Sequence, residues 1–324
     1  MQIKNVFNLP SGKILLLDCD GYLIESTEMR DVSVDGKKHE EVRTATDPRV
    51  IWKHLLPYDK KWLLTVSTQK GCVHNCKFCD VAPLPYKGNL SCYEMIEQVE
   101  IILKNTDYVK TCAKAKIGFA RMGEPSHNVA NVLNAMRDLP NISKKQKKDI
   151  NWLPCFNTIL PMKGVNPPEN VLKEVLNFKE RVYDGFLHLQ ISCNSTDEEK
   201  RQELFGGSPV LSLPEIVNIV NKHDITSRTV TLNFIVMKGV EIDVKKLQAM
   251  GLNGSKFAVK LIPLNHTEEA DKYKLETLAN YNNYDKLLEL RNDFRAVGIP
   301  IVVDAIAKCE EAGLCCGQLA QIYL

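Results

Sequence analysis

From Lys61 onward, short apolar runs alternate with stretches whose apolar residues recur at helical spacing. The runs Trp62–Ser67, Lys116–Arg121, Asn151–Phe156, Phe186–Ser192, Thr229–Val236, Phe257–Ile262 and Ile301–Val303 read as strands. Between them Tyr93–Lys104, Val129–Leu139, Glu169–Phe178, Leu213–Lys222 and Tyr284–Val297 read as helices. This alternation predicts an α/β fold with parallel strands and crossover helices. About six such units fit a partial (β/α)6 barrel, with ligands at the C-terminal strand ends. Upstream, Gly12–Leu17 and Tyr22–Glu25 flank Asp18-Cys19-Asp20-Gly21 and predict a hairpin. Residues 26–58 are charged and unperiodic apart from a short helix around Val50–Leu55. The expected organisation is a small β-rich accessory segment over 1–60 and a barrel over 61–324.

The 324 residues are 44% hydrophobic and 25% charged, which excludes a disordered or low-complexity chain. Forty-two Lys+Arg against 40 Asp+Glu leave +2, a balance that neither demands nor excludes RNA. The dense basic run Ser143–Lys148 reads as a solvated loop between a helix and a strand. No apolar stretch is long enough for a membrane span, and the N-terminus lacks a secretory pattern, so a cytoplasmic protein is expected. Eleven cysteines, an odd number in a chain of this size, point to a reducing compartment. Clustered cysteines there act as ligands or catalysts rather than bridges.

Three are clustered. Cys72, Cys76 and Cys79 follow the first barrel strand at C-x3-C-x2-C spacing. Three thiolates can wrap three irons of a cubane [4Fe–4S] cluster, whereas an electron-transfer cluster takes four. The remaining iron is open to the amino and carboxylate groups of S-adenosylmethionine (SAM), whose sulfonium bond an electron from the cluster can cleave. A structural zinc site competes, with His74 as a fourth ligand on paper. Tetrahedral zinc sites, however, usually draw on two separated pairs. Phe78 fits either an adenine contact or a core position.

The three-cysteine pattern with an aromatic before its last cysteine resembles the radical SAM superfamily. Further blocks narrow the resemblance to the RlmN/Cfr family, which methylates an adenosine carbon in RNA. Val66 to Cys79 is similar to that family's signature loop, and Met122-Gly123-Glu124-Pro125 with Asn128 to its M-G-E-P-x-x-N. Leu189-Gln190-Ile191-Ser192, Glu198-Glu199-Lys200-Arg201, Leu261-Ile262-Pro263-Leu264-Asn265 and Cys316-Gly317-Gln318-Leu319 resemble later blocks in the family's order. The resemblance spans roughly Trp62 to Leu319. It implies a [4Fe–4S] cluster on Cys72, Cys76 and Cys79, and SAM contacts from Phe78, Gly123, Glu124, Pro125, Ser192 and Asn265. It also implies an electron donor such as flavodoxin or ferredoxin, and Cys316 as a residue that is itself methylated before the methyl is delivered to C2 or C8 of adenine.

Two departures accompany it. The family's second cysteine, seven residues before the first cluster cysteine, is Thr65 here. Threonine cannot form a disulfide with Cys316, and a bridge between adjacent Cys315 and Cys316 would be strained. Cys19, Cys92, Cys112, Cys155, Cys193 and Cys309 are other candidates for that second cysteine, and the sequence alone does not place them. The family's helical RNA-binding extension also precedes the β segment, whereas the hairpin here begins near residue 12. Three readings follow: an RNA adenine methyl synthase; an offshoot using the same radical start on a small nucleotide, DNA or a peptide; and a non-catalytic cluster or zinc protein. On either enzymatic reading, Cys76→Ala abolishes iron–sulfur absorbance and SAM cleavage together. Cleavage persisting in that variant contradicts the ligand assignment.

Overall fold

The computed structural model describes residues 1–31, 49, 53–164, 166–278, 285–303 and 315–323. The chain divides into two compact units: Met1–Val73, Pro83–Cys155 and Ile306–Leu324 make one, His74–Ala82 and Phe156–Ala305 the other. The helix expected around Val50–Leu55 and the position of Cys309 fall largely outside the described residues.

The first unit opens with β1 (Gln2–Asn8), β2 (Gly12–Cys19) and β3 (Tyr22–Arg30), paired antiparallel in that order. The hairpin is tighter than its turn-rich tetrad suggests. Cys19 pairs with Tyr22, leaving only Asp20 and Gly21 in the loop, at φ of 55° and 80°. Positive φ at both positions is what a two-residue hairpin loop with the strands' own twist requires, and Asp-Gly supplies it. β3 then pairs antiparallel with β4 (Trp62–Val66), the first of the expected barrel strands.

A short ladder of β5 (Gln69–Lys70) with β6 (Gly88–Asn89) follows, then α1 (Cys92–Asn105), β7 (Thr111–Phe119), α2 (Val129–Lys145) and β8 (Asp149–Thr158). β4 and β7 are parallel. Lying between β2 and β4, β3 is buried on both faces, although it carries Glu25, Ser26, Thr27 and Glu28. Each of these must find a partner inside. Ser26 donates to Gln98 Oε1 of α1 at 2.8 Å, and Glu28 accepts from Tyr58 and Trp62 at 3.1 Å each. Burial raises the Glu28 carboxyl above the usual range.

The basic run departs from its expected solvated loop. Helix α2 continues past Pro140 to Lys145, so Ser143–Lys145 form its last turn. Lys148 turns inward, and its ammonium donates to the carbonyl oxygens of Thr106, Asp107 and Val109 at 3.0, 3.3 and 2.6 Å. Three donors on one ammonium match three carbonyls left over beyond the C-terminus of α1. Burial lowers the Lys148 pKa.

In the second unit the order is α3 (Pro168–Tyr183), β9 (His188–Ser192), α4 (Glu198–Leu204), α5 (Leu213–Asn221), β10 (Val230–Val236), α6 (Val244–Ala249), β11 (Phe257–Pro263), α7 (Glu268–Lys272), α8 (Asp285–Ala296) and β12 (Ile301–Val303). β9 to β12 are neighbours in sequence order and parallel throughout. Side chains alternate across this sheet. Leu189, Ile191, Leu232, Phe234, Val259 and Leu261 are fully buried on one face. The other carries Gln190, Ser192, Asn233 and Lys260, with Asn233 in register with both Ser192 and Lys260. Among the described residues no helix is long and apolar enough to cross a membrane.

Removing the Lys148 ammonium strands two buried carbonyls, of Thr106 and Val109, and the part-buried carbonyl of Asp107. Lys148→Met therefore lowers unfolding free energy by about 1–3 kcal/mol, while Lys144→Met costs no more than roughly 0.5 kcal/mol. Urea midpoints of the two variants measure the difference.

Candidate active site

In the first unit the segment after β4 is fixed before the cysteine loop begins. Ser67, Thr68 and Gln69 are fully buried. Ser67 N donates to Gln98 Oε1 at 2.8 Å, and Gln98 Nε2 returns a bond to Ser67 O at 3.0 Å. Thr68 N donates to Met122 O, and Glu124 N donates to Gln69 Oε1 at 2.9 Å. Gly123 sits against Gln69 at φ 98°, where a Cβ would lie 2.5 Å from Gln69 Cβ, so only glycine lets the two segments meet. The Glu124 side chain accepts from Ser126 N at 3.0 Å, capping the turn Pro125–Asn128, and Asn128 Nδ2 donates to Thr68 O and Leu90 O. Gly123, Glu124 and Pro125 are thus held against the Thr68–Gln69 segment that leads to Cys72.

The same unit holds Cys316. Arg121, next to the Met-Gly-Glu-Pro segment, is buried and faces Glu25 of β3, with Nε at 2.8 Å from Oε2 and Nη2 at 2.7 Å. Its other donors reach the C-terminal segment: Nη2 to Cys315 O at 3.0 Å and Nη1 to Cys316 Sγ at 3.9 Å. Glu25 meanwhile accepts from Gly317 N at 3.1 Å and Ala320 N at 2.9 Å, satisfying the first amides of α9 (Gln318–Tyr323). The Cys316 thiol is directed at Ala120 O, 3.8 Å away. Burial pushes its pKa up, Arg121 pulls it back and Glu25 pushes it up again.

Thr65 pairs with Thr27 across β3 and β4, and their hydroxyls are 2.6 Å apart. Glu25 lies two residues along from Thr27, on the same face of β3. The residue in place of the family's second cysteine is therefore committed to a neutral hydroxyl pair.

In the second unit the loop from His74 is anchored to the end of α4. Lys77 N donates to Leu204 O at 2.9 Å, and Lys77 Nζ pairs with Glu203. His74 Nδ1 lies 3.0 Å from Ser208 Oγ, and Asp80 Oδ1 accepts from Glu269 N at 3.1 Å. At Gly206, φ 67°, a Cβ would stand 2.1 Å from Asn75 O. Phe78 packs between two apolar clusters, one containing Leu204 and Leu264 and the other Phe205, whose ring is 6.1 Å away. Cys76 joins the second cluster and is half-buried, as is Cys79. Ser192 and Asn265, both half-buried, end β9 and follow β11. Arg201 is fully buried, donating to Glu198 at 2.6 Å and to Leu211 O and Cys193 O.

This donor set fits the cofactors the sequence implies. Three soft thiols sit on one continuous loop, as an iron–sulfur cluster requires. Beside Ser192, Asn194 Nδ2 and Asn233 Oδ1 are buried without a protein partner, so the polar strand end keeps a donor and an acceptor for a ligand. By contrast, Cys19, Asp20 and Glu94, which approach metal-ligand spacing, form a salt-bridge knot: Lys70 lies within 3.4 Å of both carboxylates. Burial and the Glu94 bond push the Cys19 thiol up to about 12. Cys193, fully buried, is likewise pushed up to about 12. Sequence reasoning missed Glu25, Gln98, Asn194 and Asn233. The one available signal was the glutamate that closes the otherwise apolar run Tyr22–Glu25.

Gly206→Ala and Gly207→Ala both force an L-residue to positive φ, costing about 1 kcal/mol each. Only the first also pushes on Asn75, since nothing lies within 4 Å of a Cβ at Gly207. Iron content after anaerobic reconstitution falls in Gly206→Ala and stays at the wild-type level in Gly207→Ala.

No model of a known protein family matches the chain. A probable dual-specificity RNA methyltransferase RlmN of Pseudothermotoga lettingae is 28% identical over 282 residues, 85% of this chain and 73% of that protein. The dual-specificity RNA methyltransferase RlmN of Helicobacter hepaticus is 28% identical over 80% of this chain and 63% of its own length. A probable RlmN of Thermus thermophilus is 26% identical over 89% of this chain and 72% of its own. Among solved structures, a radical SAM methyltransferase from Sphaerobacter thermophilus superposes with a TM-score of 0.68 at 19% identity, over 98% of this chain and 80% of that one. The expected α/β fold is therefore one that this chain shares with that structure, and in sequence the chain is similar, at 26–28% identity, to RlmN RNA methyltransferases.

Proposed function

We propose that this chain is a radical SAM enzyme that methylates an sp2 carbon of adenine in RNA, with Cys316 as methyl carrier. The observation that carries the reading is the Cys316 thiol, 3.9 Å from the Arg121 guanidinium, in a relative of RNA methyltransferases. Residues 61–324 form the catalytic barrel in this reading, and residues 1–60 form the accessory segment that supplies Glu25. Cys72, Cys76 and Cys79 would hold the [4Fe–4S] cluster. Phe78, Gly123, Glu124, Pro125, Ser192 and Asn265 would bind SAM. When bound, these groups supply an electron, a methyl group and a 5'-deoxyadenosyl radical, with flavodoxin or ferredoxin as the reductant.

The chain's own residues bind and orient. Gly123 lets the backbone approach a ligand closely, and the Glu124 carboxylate can accept from an ammonium group. Ser192 offers its hydroxyl at a strand end, where the parallel fold places ligands. Cys316 provides a sulfur that accepts a methyl as a thioether and presents it to the base. Adenine C2 and C8 lack nucleophilic character, so polar methyl transfer to them fails and a radical route is required.

A second reading keeps the radical start but assigns another substrate and omits the two-cysteine mechanism. The Thr65–Thr27 hydroxyl pair favours it, because no second thiol occupies that strand position. Anaerobic incubation with SAM and dithionite separates the possibilities. The first reading predicts 5'-deoxyadenosine from wild type and methylated adenosine in RNA. It also predicts that Cys316→Ser still cleaves SAM but gives no methylated base. Cleavage without RNA methylation in wild type supports the second reading, and no 5'-deoxyadenosine from cluster-loaded protein overturns both.

A further inference from the structure

We infer that Arg121 is a positioning residue that holds Cys316 in place and stabilises its thiolate, with Glu25 as the counter-charge that anchors Arg121. This deepens the proposed function and rests on its assignment of Cys316 as the methyl carrier.

The geometry is specific. An arginine offers five donors in a rigid fork. At Arg121, Nε and Nη2 engage the Glu25 carboxylate, Nη2 also reaches Cys315 O, and Nη1 faces Cys316 Sγ. Neither partner of the pair reaches bulk water: Arg121 is 4% exposed and Glu25 0%. The fork therefore cannot swing out to solvent without breaking a buried ion pair. Glu25 also receives Gly317 N and Ala320 N, so both ends of the short Cys316-bearing turn are tied to the same two side chains. A methyl carrier needs that rigidity, because its sulfur must meet one group to accept the methyl and another to deliver it.

Charge is the second part. A thiol accepts a methyl from a sulfonium as its thiolate: the S–H proton leaves to solvent, a sulfur lone pair forms the new S–C bond, and the broken S–C pair stays on the departing thioether. Burial alone opposes the thiolate. Among the described residues, the charged groups that act on Cys316 are Arg121, which favours the thiolate, and Glu25, which opposes it. Arg121 touches the sulfur, whereas Glu25 acts from behind the guanidinium. The cation is therefore the dominant neighbour. Through Arg121 the pair presents a positive charge to the thiol.

The two members therefore have opposite effects on the thiol, which a merely structural pair would not. The experiment uses the whole chain without added SAM and measures alkylation of Cys316 by iodoacetamide across pH, resolved by peptide mass spectrometry. In Arg121→Gln the midpoint of the pH–rate curve moves up by about one pH unit or more, as loss of an adjacent cation requires. In Glu25→Gln, which keeps a hydrogen-bond acceptor, it stays or moves down. Arg121→Lys keeps the charge but not the fork, and restores most of the midpoint while leaving alkylation of neighbouring Cys315 faster than in wild type. If Arg121→Gln does not fold, the directions in Glu25→Gln and Arg121→Lys carry the test. Equal midpoints in all variants, or upward shifts in both glutamine variants, overturn the inference. Failure of wild type to form 5'-deoxyadenosine would instead overturn the proposed function and leave the thiol measurement standing.

Discussion

A single buried ion pair ties three distant parts of the chain into one arrangement. Glu25 comes from the antiparallel hairpin, Arg121 from the end of a parallel strand 96 residues later, and Gly317 and Ala320 from the C-terminal turn. Taking two such charges out of water is costly and is repaid only when every donor and acceptor is satisfied. Here the carboxylate takes two guanidinium nitrogens and two backbone amides. Loss of either partner leaves an uncompensated interior charge, at a cost of about 3–5 kcal/mol. A pair this expensive contributes less to net stability than to specifying one position for the residues it touches, and one of those is Cys316.

The same logic explains the rest of the first unit. β3 is buried on both faces yet rich in polar residues, and each of them organises something else. Ser26 holds Gln98, which holds the strand end at Ser67, from which the segment leading to Cys72 departs. Gln69 then receives Glu124 N and fits under Gly123. In the second unit Gly206 and Leu204 grip the loop that carries Cys76 and Cys79. The chain is therefore anchored just before Cys72 in the first unit and beside Cys76 in the second.

Much of this was legible in the sequence, and what was not has a common cause. Period-two spacing located β4, β10 and β11 to within a residue or two, because their inward-facing residues are apolar throughout. The cysteine spacing is local and needed no tertiary information. Glu25, Lys148, Asn194 and Asn233 could not be read in the same way. An acidic or basic side chain looks alike in sequence whether it faces water or meets a partner a hundred residues away. Lys148 illustrates the point: one of four lysines in a short basic run, it is the one that fills a cage of carbonyls. Pro140 misled in the other direction, since α2 runs through the position where a proline suggests an end. Thr65 is the reverse case, a departure visible in sequence whose consequence, a hydroxyl pair with Thr27, only the fold reveals.

In the proposed reaction Cys316 is held ready to take up a methyl group. The mass of the C-terminal peptide, measured after anaerobic exposure of the cluster-loaded chain to SAM, tests it directly. A one-methyl increment located on Cys316 is the expected result. An unmodified Cys316 under conditions in which SAM is consumed would contradict it.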